Sequence, residues 1–277
     1  MRGSFNILRP LLAGSLLLLV TLLGTAPALA AMKGCDTGGV SGFKVFLSDV
    51  SVTGLQADPG KLSEALYFVL DGKLQSLPGA GPGAGPQIIR CPGRQPNISG
   101  QDYTASLVKA LNTDDVLLDL WGSIAAREGG GQQQEDVWVA YYLIPLANYD
   151  PHGAVKPLQH ANVSNPVGPL LDPVADIQAM LDRGPGFDTY ASIVLGLKLA
   201  KNREYDNARA ALCAAQSRLA AASGGAATPD PQTAALSAYV GDKLQQNYDA
   251  AVHDSHYKGA MRQLGDLLGK PNECPAG

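Results

Sequence analysis

Residues 189–222 read TYASIVLGLKLAKNREYDNARAALCAAQSRLAAA. Their order of small and large apolar side chains decides the architecture of the carboxyl-terminal half. Asp188 or Thr189 supplies an oxygen for the first free backbone N–H groups of a helix. Tyr190 to Lys201 then predicts one helix, Asn202-Arg203-Glu204 a turn, and Tyr205 to Leu219 an antiparallel second helix. Gly196 and Ala208 fall where two such helices approach most closely, and a larger side chain at either position would push them apart.

Leu195, Gly196, Tyr205, Ala208, Leu212 and Ala215 follow the ladder of a tetratricopeptide hairpin, and the segment resembles that family. It departs from the family at Ser192, where an aromatic is usual, and at Ala220, where a proline is usual. Tyr257, Ala260, Leu264 and Leu267 repeat the spacing after a helix from Gln232 that carries Leu236, Val240, Leu244 and Tyr248. An ordinary helical bundle with chance spacing is the alternative. In tetratricopeptide hairpins the first helix lines a concave groove. Carried over, the resemblance implies Tyr190, Ile193, Leu197 and Lys201 as partner contacts, with packing against a preceding helix as the other reading of the same four. That preceding helix begins at Asp172-Pro173 and buries Ile177, Met180 and Leu181.

Toward the amino terminus the period changes. Residues 43–52 (FKVFLSDVSV) and Gln87–Cys91 read as strands. Between them Leu62, Leu66, Val69, Leu70, Leu74 and Leu77 recur at helical spacing until Pro78 and the glycine-rich run that follows. Asp102 begins a second helix with Leu107, Val108 and Leu111. Residues 115–125 and Val137–Leu146 form a long hairpin around the polar loop EGGGQQQED, flanked by Trp121 and Trp138. The order β-α-β-α-β-β predicts an α+β domain, a small mixed sheet with helices on one face, over residues 31–148. Residues 149–172 form the linker, and residues 173–277 the all-α, tetratricopeptide-like domain. The stretch ALNTDDVLLDLWGSI (110–124), a helix, a turn and a strand ending in Trp121-Gly122-Ser123, resembles the amino-terminal domain of TolB and related periplasmic α/β domains. That resemblance covers residues 40–148 and implies a non-catalytic docking domain.

Arg2 and Arg9, the apolar run Leu11–Leu23 and Ala28-Leu29-Ala30 have the layout of a secretory signal peptide over residues 1–30. A retained signal anchor is the alternative. Without those two arginines, 19 basic residues face 25 acidic ones, a net charge of −6. Such a surface repels nucleic acid and anionic membrane. The composition suits the periplasm of a GC-rich bacterium, so the compartment expected is periplasmic or secreted. Four cysteines in an exported chain point to disulfides. Of the three connectivities, Cys35–Cys91 with Cys213–Cys274 keeps each bridge within one domain.

No constellation of catalytic residues stands out. His152 and His160 are isolated, and His253-Asp254-Ser255-His256 is the one dense cluster; it lacks HExxH and a third ligand at a recognisable spacing. There is no Gly-x-Ser-x-Gly elbow, no dinucleotide fingerprint and no P-loop lysine. Asn97-Ile-Ser99 and Asn162-Val-Ser164 are glycosylation sequons, relevant to a eukaryotic source. The expectation is an exported, non-catalytic adaptor with no cofactor and no metal, whose partner is another envelope or secreted protein. Its rivals are a hydrolase using His253 or His256 at the domain interface, and a small-molecule carrier in the α+β half.

Overall fold

The computed structural model describes residues 35–53, 59–79, 85–94, 103–129, 132–144, 185–224 and 230–254, together with Gln178, Leu181, Asp182 and Cys274. The expected signal peptide, the linker, Ile177, Met180, His152, His160, His256, both sequons and the repeat residues Tyr257 to Leu267 lie outside these.

Among the described residues, four strands and five longer helices carry the fold: β1 (Lys44–Thr53), α1 (Pro59–Gln75), β2 (Gln87–Cys91), α2 (Ala105–Thr113), β3 (Val116–Gly129), β4 (Gln132–Leu143), α3 (Gly186–Lys201), α4 (Tyr205–Ala222) and α5 (Pro231–His253). The expected class holds: a mixed α+β sheet unit followed by a helical hairpin. The sheet order is β2-β1-β3-β4, with β1 parallel to β2 and β3, and β4 antiparallel to β3. Parallel neighbours need crossover connections, and α1 and α2 provide them. The hairpin ladder runs unbroken from Leu118↔Leu143 to Gly129↔Gln132, through the residues expected as a polar loop. Backbone pairing continues there without an apolar pattern to announce it.

Alternation along β1 and β3 makes two cores. Val45 and Leu47 pair with Leu118 and Leu120 and face α1, where Leu66, Val69, Leu70 and Leu74 are buried. Phe46 and Trp121 face the other way with Ile89, Cys91 and Val116, and there α2 closes the sheet through Leu111. Helices thus cover both faces rather than the one face expected, because the second crossover returns from β2 to β3 on the side opposite the first. Thr104 caps α2, its hydroxyl accepting the Leu107 N–H at 3.3 Å, two residues after the expected Asp102.

The helical half is built on α3. Every residue from Thr189 to Ala200 is buried, so this helix has no solvent face at all. Apart from Thr189, Ser192 and Lys198 these residues are apolar on every side, and such a helix belongs inside a protein. Gly196 lies against α4: a Cβ there would stand 2.7 Å from Leu212 Cγ and 3.2 Å from the Ala208 carbonyl oxygen. Arg203, at φ 66°, ends the helix. The Glu204 N–H reaches Leu199 O at 2.9 Å and the Arg203 N–H reaches Ala200 O at 3.0 Å, the paired bonds of a Schellman motif.

One apolar core runs across both halves, from Val45, Leu66, Leu118 and Leu120 through Phe187, Ile193 and Leu197 to Leu212, Leu236 and Leu244. Polar contacts add to it. Lys73 of α1 bonds Asp182 at 2.5 Å and Asp188 at 3.3 Å, and Gly79 (φ +89°) sits so close to the Asn207 carbonyl that no Cβ fits. Two disulfides, Cys35–Cys91 and Cys213–Cys274, form with Cα–Cα distances of 4.3 and 5.3 Å. They mark a chain that matures outside the reducing cytoplasm. Among the described residues, no helix is long and apolar enough to cross a membrane.

Candidate functional site

The four residues expected to line a groove are separated by burial. Tyr190, Ile193 and Leu197 are 3%, 0% and 5% exposed within the common core, while Lys201 is exposed at the helix end. This corrects the tetratricopeptide analogy. In α3 the face that would line the groove is filled by the sheet unit and neighbouring helices, so no partner segment has room on Tyr190, Ile193 or Leu197. The close approach of α3 and α4 at Gly196 and Ala208 is present, but the hairpin serves as core.

The histidine cluster does not assemble a hydrolytic pair among the described residues. His253 is exposed at the end of α5. The neighbouring Asp254 carboxylate accepts from the Tyr205 hydroxyl at 3.1 Å and lies 3.6 Å from Arg203, so it ties the α3–α4 turn to the end of α5. Among the described residues, no group of three or more His, Cys, Asp or Glu is placed to hold a metal.

A polar centre that the sequence reading did not anticipate lies on the α2 face of the sheet. Asp119, fully buried, accepts from Ser48 Oγ at 3.0 Å, from the Tyr103 hydroxyl at 2.7 Å, and from Arg94 Nε and Nη2 at 3.1 and 2.9 Å. Burial raises the carboxyl above its ordinary value, opposed by the Arg94 charge and by the hydrogen bonds from Tyr103, Arg94 and Ser48. Burial also raises the Tyr103 phenol, reinforced by the Asp119 charge, so it stays a donor. Next door, Asp49 accepts the Gly93 N–H at 2.5 Å, and its own N–H reaches Arg94 O at 3.0 Å. Every contact closes on another part of the chain. The centre pins the segment after β2 and the start of α2 to the sheet. Its one sequence signal was an acid, Asp119, in the otherwise apolar run Val116–Gly122 of β3.

Outward-facing chemistry gathers on α1 and β2. Phe68 is 70% exposed. One turn back, Glu64 takes a bidentate grip from Arg90 of β2, at 2.7 and 3.1 Å. The Arg90 guanidinium also lies 4.2 Å from the centre of the Tyr67 ring. Among the described strands β2 lies at the edge of the sheet, paired with β1 on one side. An edge strand offers unpaired backbone groups to a further strand.

No family model matches the chain, and no curated protein matches it. Among solved structures it is similar to PelC from Paraburkholderia phytofirmans. A dodecamer of a single-site PelC variant is 13% identical over 50% of this chain and 86% of that chain, with a TM-score of 0.26. A PelC dodecamer in another space group is likewise 13% identical over 50% and 85%, with a TM-score of 0.25.

Proposed function

We propose that this is an exported, non-catalytic adaptor of the bacterial envelope, resident in the periplasm, that holds an extended segment of another envelope protein against the edge of its sheet. The observation that carries the reading is the surface formed by Phe68 and the Arg90–Glu64 pair beside edge strand β2. Strand addition gives affinity through backbone hydrogen bonds and specificity through neighbouring side chains. Phe68 is an apolar anchor one helical turn from a charged pair, and Tyr67 and Arg90 form the rim. The polar groups deeper in the sheet support the same reading, since the Asp119 oxygens are taken by Arg94, Tyr103 and Ser48. The two disulfides suit an oxidising compartment.

A photo-crosslinking amino acid placed at position 68 in the native host tests the reading, with the same probe at exposed Ser217 of α4 as the control. A discrete adduct from position 68, weakened by Arg90→Ala, is expected. No adduct, or the same products from both positions, contradicts it.

A further inference from the structure

Where the last turn of α3 meets the amino ends of β1 and β3, charged groups are enclosed between the two halves. Lys44 of β1 is 3% exposed, and its Nζ donates to Gly42 O at 3.1 Å and Asp114 O at 2.9 Å, with Asp114 Oδ1 at 3.5 Å. The Asp115 carbonyl accepts the Lys44 N–H at 3.0 Å, and Asp115 itself holds φ 56°. A second amine arrives from the helical side. Lys198 is 2% exposed, and its buried Nζ has no hydrogen-bond partner. Asp114 Oδ2 is buried and unpartnered too. Lys44 already serves the turn, and Lys198 enters a space with no acceptor of its own.

An ammonium buried without partners is strongly disfavoured against its hydrated form, so such a group sheds its proton instead. We propose that the contact between α3 and the amino ends of β1 and β3 is a proton-operated latch, closed while Lys198 is neutral and loosened when its Nζ takes up a proton. The charged groups around it come from three elements: Lys44 from β1, Asp114 and Asp115 from the turn before β3, and Lys201 one turn along α3. At the opposite end of α3, Asp188 pairs with Lys73 of α1, ten residues or about 15 Å away. From α4, Arg218 donates to Ser192 at 2.9 Å, nearly two turns from Lys198.

Burial pulls the Lys198 amine down from 10.5 to about 7; Asp115 and Asp114 oppose this, and Lys201 and Lys44 add to it. The folded value lies below the unfolded one. Between pH 7 and 10.5 the open form therefore binds more protons, and closure strengthens as pH rises through that window. With these two values, the opening equilibrium shrinks about tenfold between pH 6 and pH 8.

Hydrogen exchange on the full chain reads the latch through the Lys44, Asp115 and Ile144 amides, which bond Asp115 O, Asn112 O and Leu117 O. In the wild type, their opening constants, corrected for intrinsic exchange, are expected to fall about tenfold from pH 6 to pH 8. In Lys198→Met they should be flat and low throughout. Asp115→Asn removes the largest attraction on the ammonium and should move the wild-type transition to lower pH. Nitrogen-detected titration of the lysine amines in the wild type supplies a reading that needs no variant. A Lys198 midpoint near 10, or wild-type exchange that tracks Lys198→Met at every pH, overturns the latch.

Discussion

At the scale of single residues, a few positions carry the close fits of this fold. Gly196 is the clearest, since a methyl group there collides with Leu212 of the facing helix. Gly196→Ala is expected to cost about 1–3 kcal/mol by overpacking, read as a lower denaturant midpoint at unchanged slope. Arg203 works in the opposite sense, holding a left-handed conformation at the end of α3 that suits glycine. Arg203→Gly should raise stability by about 1 kcal/mol, because the ion pair it gives up with Asp254 is long, at 3.6 Å, and its guanidinium side is largely exposed to water. Asp119 is the most consequential polar residue. Its replacement by Ala strands Arg94 beside a cavity and should cost about 3–5 kcal/mol. A thermal melt showing Asp119→Ala within 1 °C of wild type, a margin of only about 0.3 kcal/mol, would contradict the structural role.

At the scale of elements, sequence period identified the strands and longer helices of the described residues, and the reasons for the departures in detail are specific. The run Ile193 to Ala200 is apolar on all sides except for Lys198. That signals a buried helix, but the small-residue ladder at Gly196 and Ala208 drew it toward an open groove. Local spacing fixes which two helices touch; it does not say what covers their other faces. The β3–β4 hairpin extends through EGGGQQQED because ladder hydrogen bonds need no hydrophobic alternation. Asp119 could be noted as odd, but its partners Ser48, Arg94 and Tyr103 come from three separate segments, which no linear pattern brings together. The outward Phe68 shares a helix with buried Leu66, Val69 and Leu70, and only its place in the helical period separates it from them. Cysteine spacing fared better, since keeping each bridge local pointed to the pairs that form. Replacing Cys35 and Cys91 by serine opens a loop with a separation of 56 residues and should cost about 4 kcal/mol, measured as a fall in thermal midpoint under non-reducing conditions.

At the scale of the whole molecule, the helical half is fastened to the sheet by a helix with no solvent face. Phe187, Ile193 and Leu197 share a core with Leu66, Leu118 and Leu120, and Lys73 and Gly79 add contacts at the rim. The protein binding proposed above is thereby left to outward surfaces such as Phe68, and the two halves are expected to gain and lose structure together. The chain has two tryptophans, Trp121 in β3 and Trp138 in β4, so fluorescence reports on the sheet while far-ultraviolet circular dichroism is dominated by the helices. Equilibrium unfolding in denaturant, followed by both signals on one sample, tests this most directly. Superimposable transitions with a common midpoint are the predicted result. Two separated transitions, the helical signal lost while the tryptophans remain native or the reverse, would contradict a shared core built on α3.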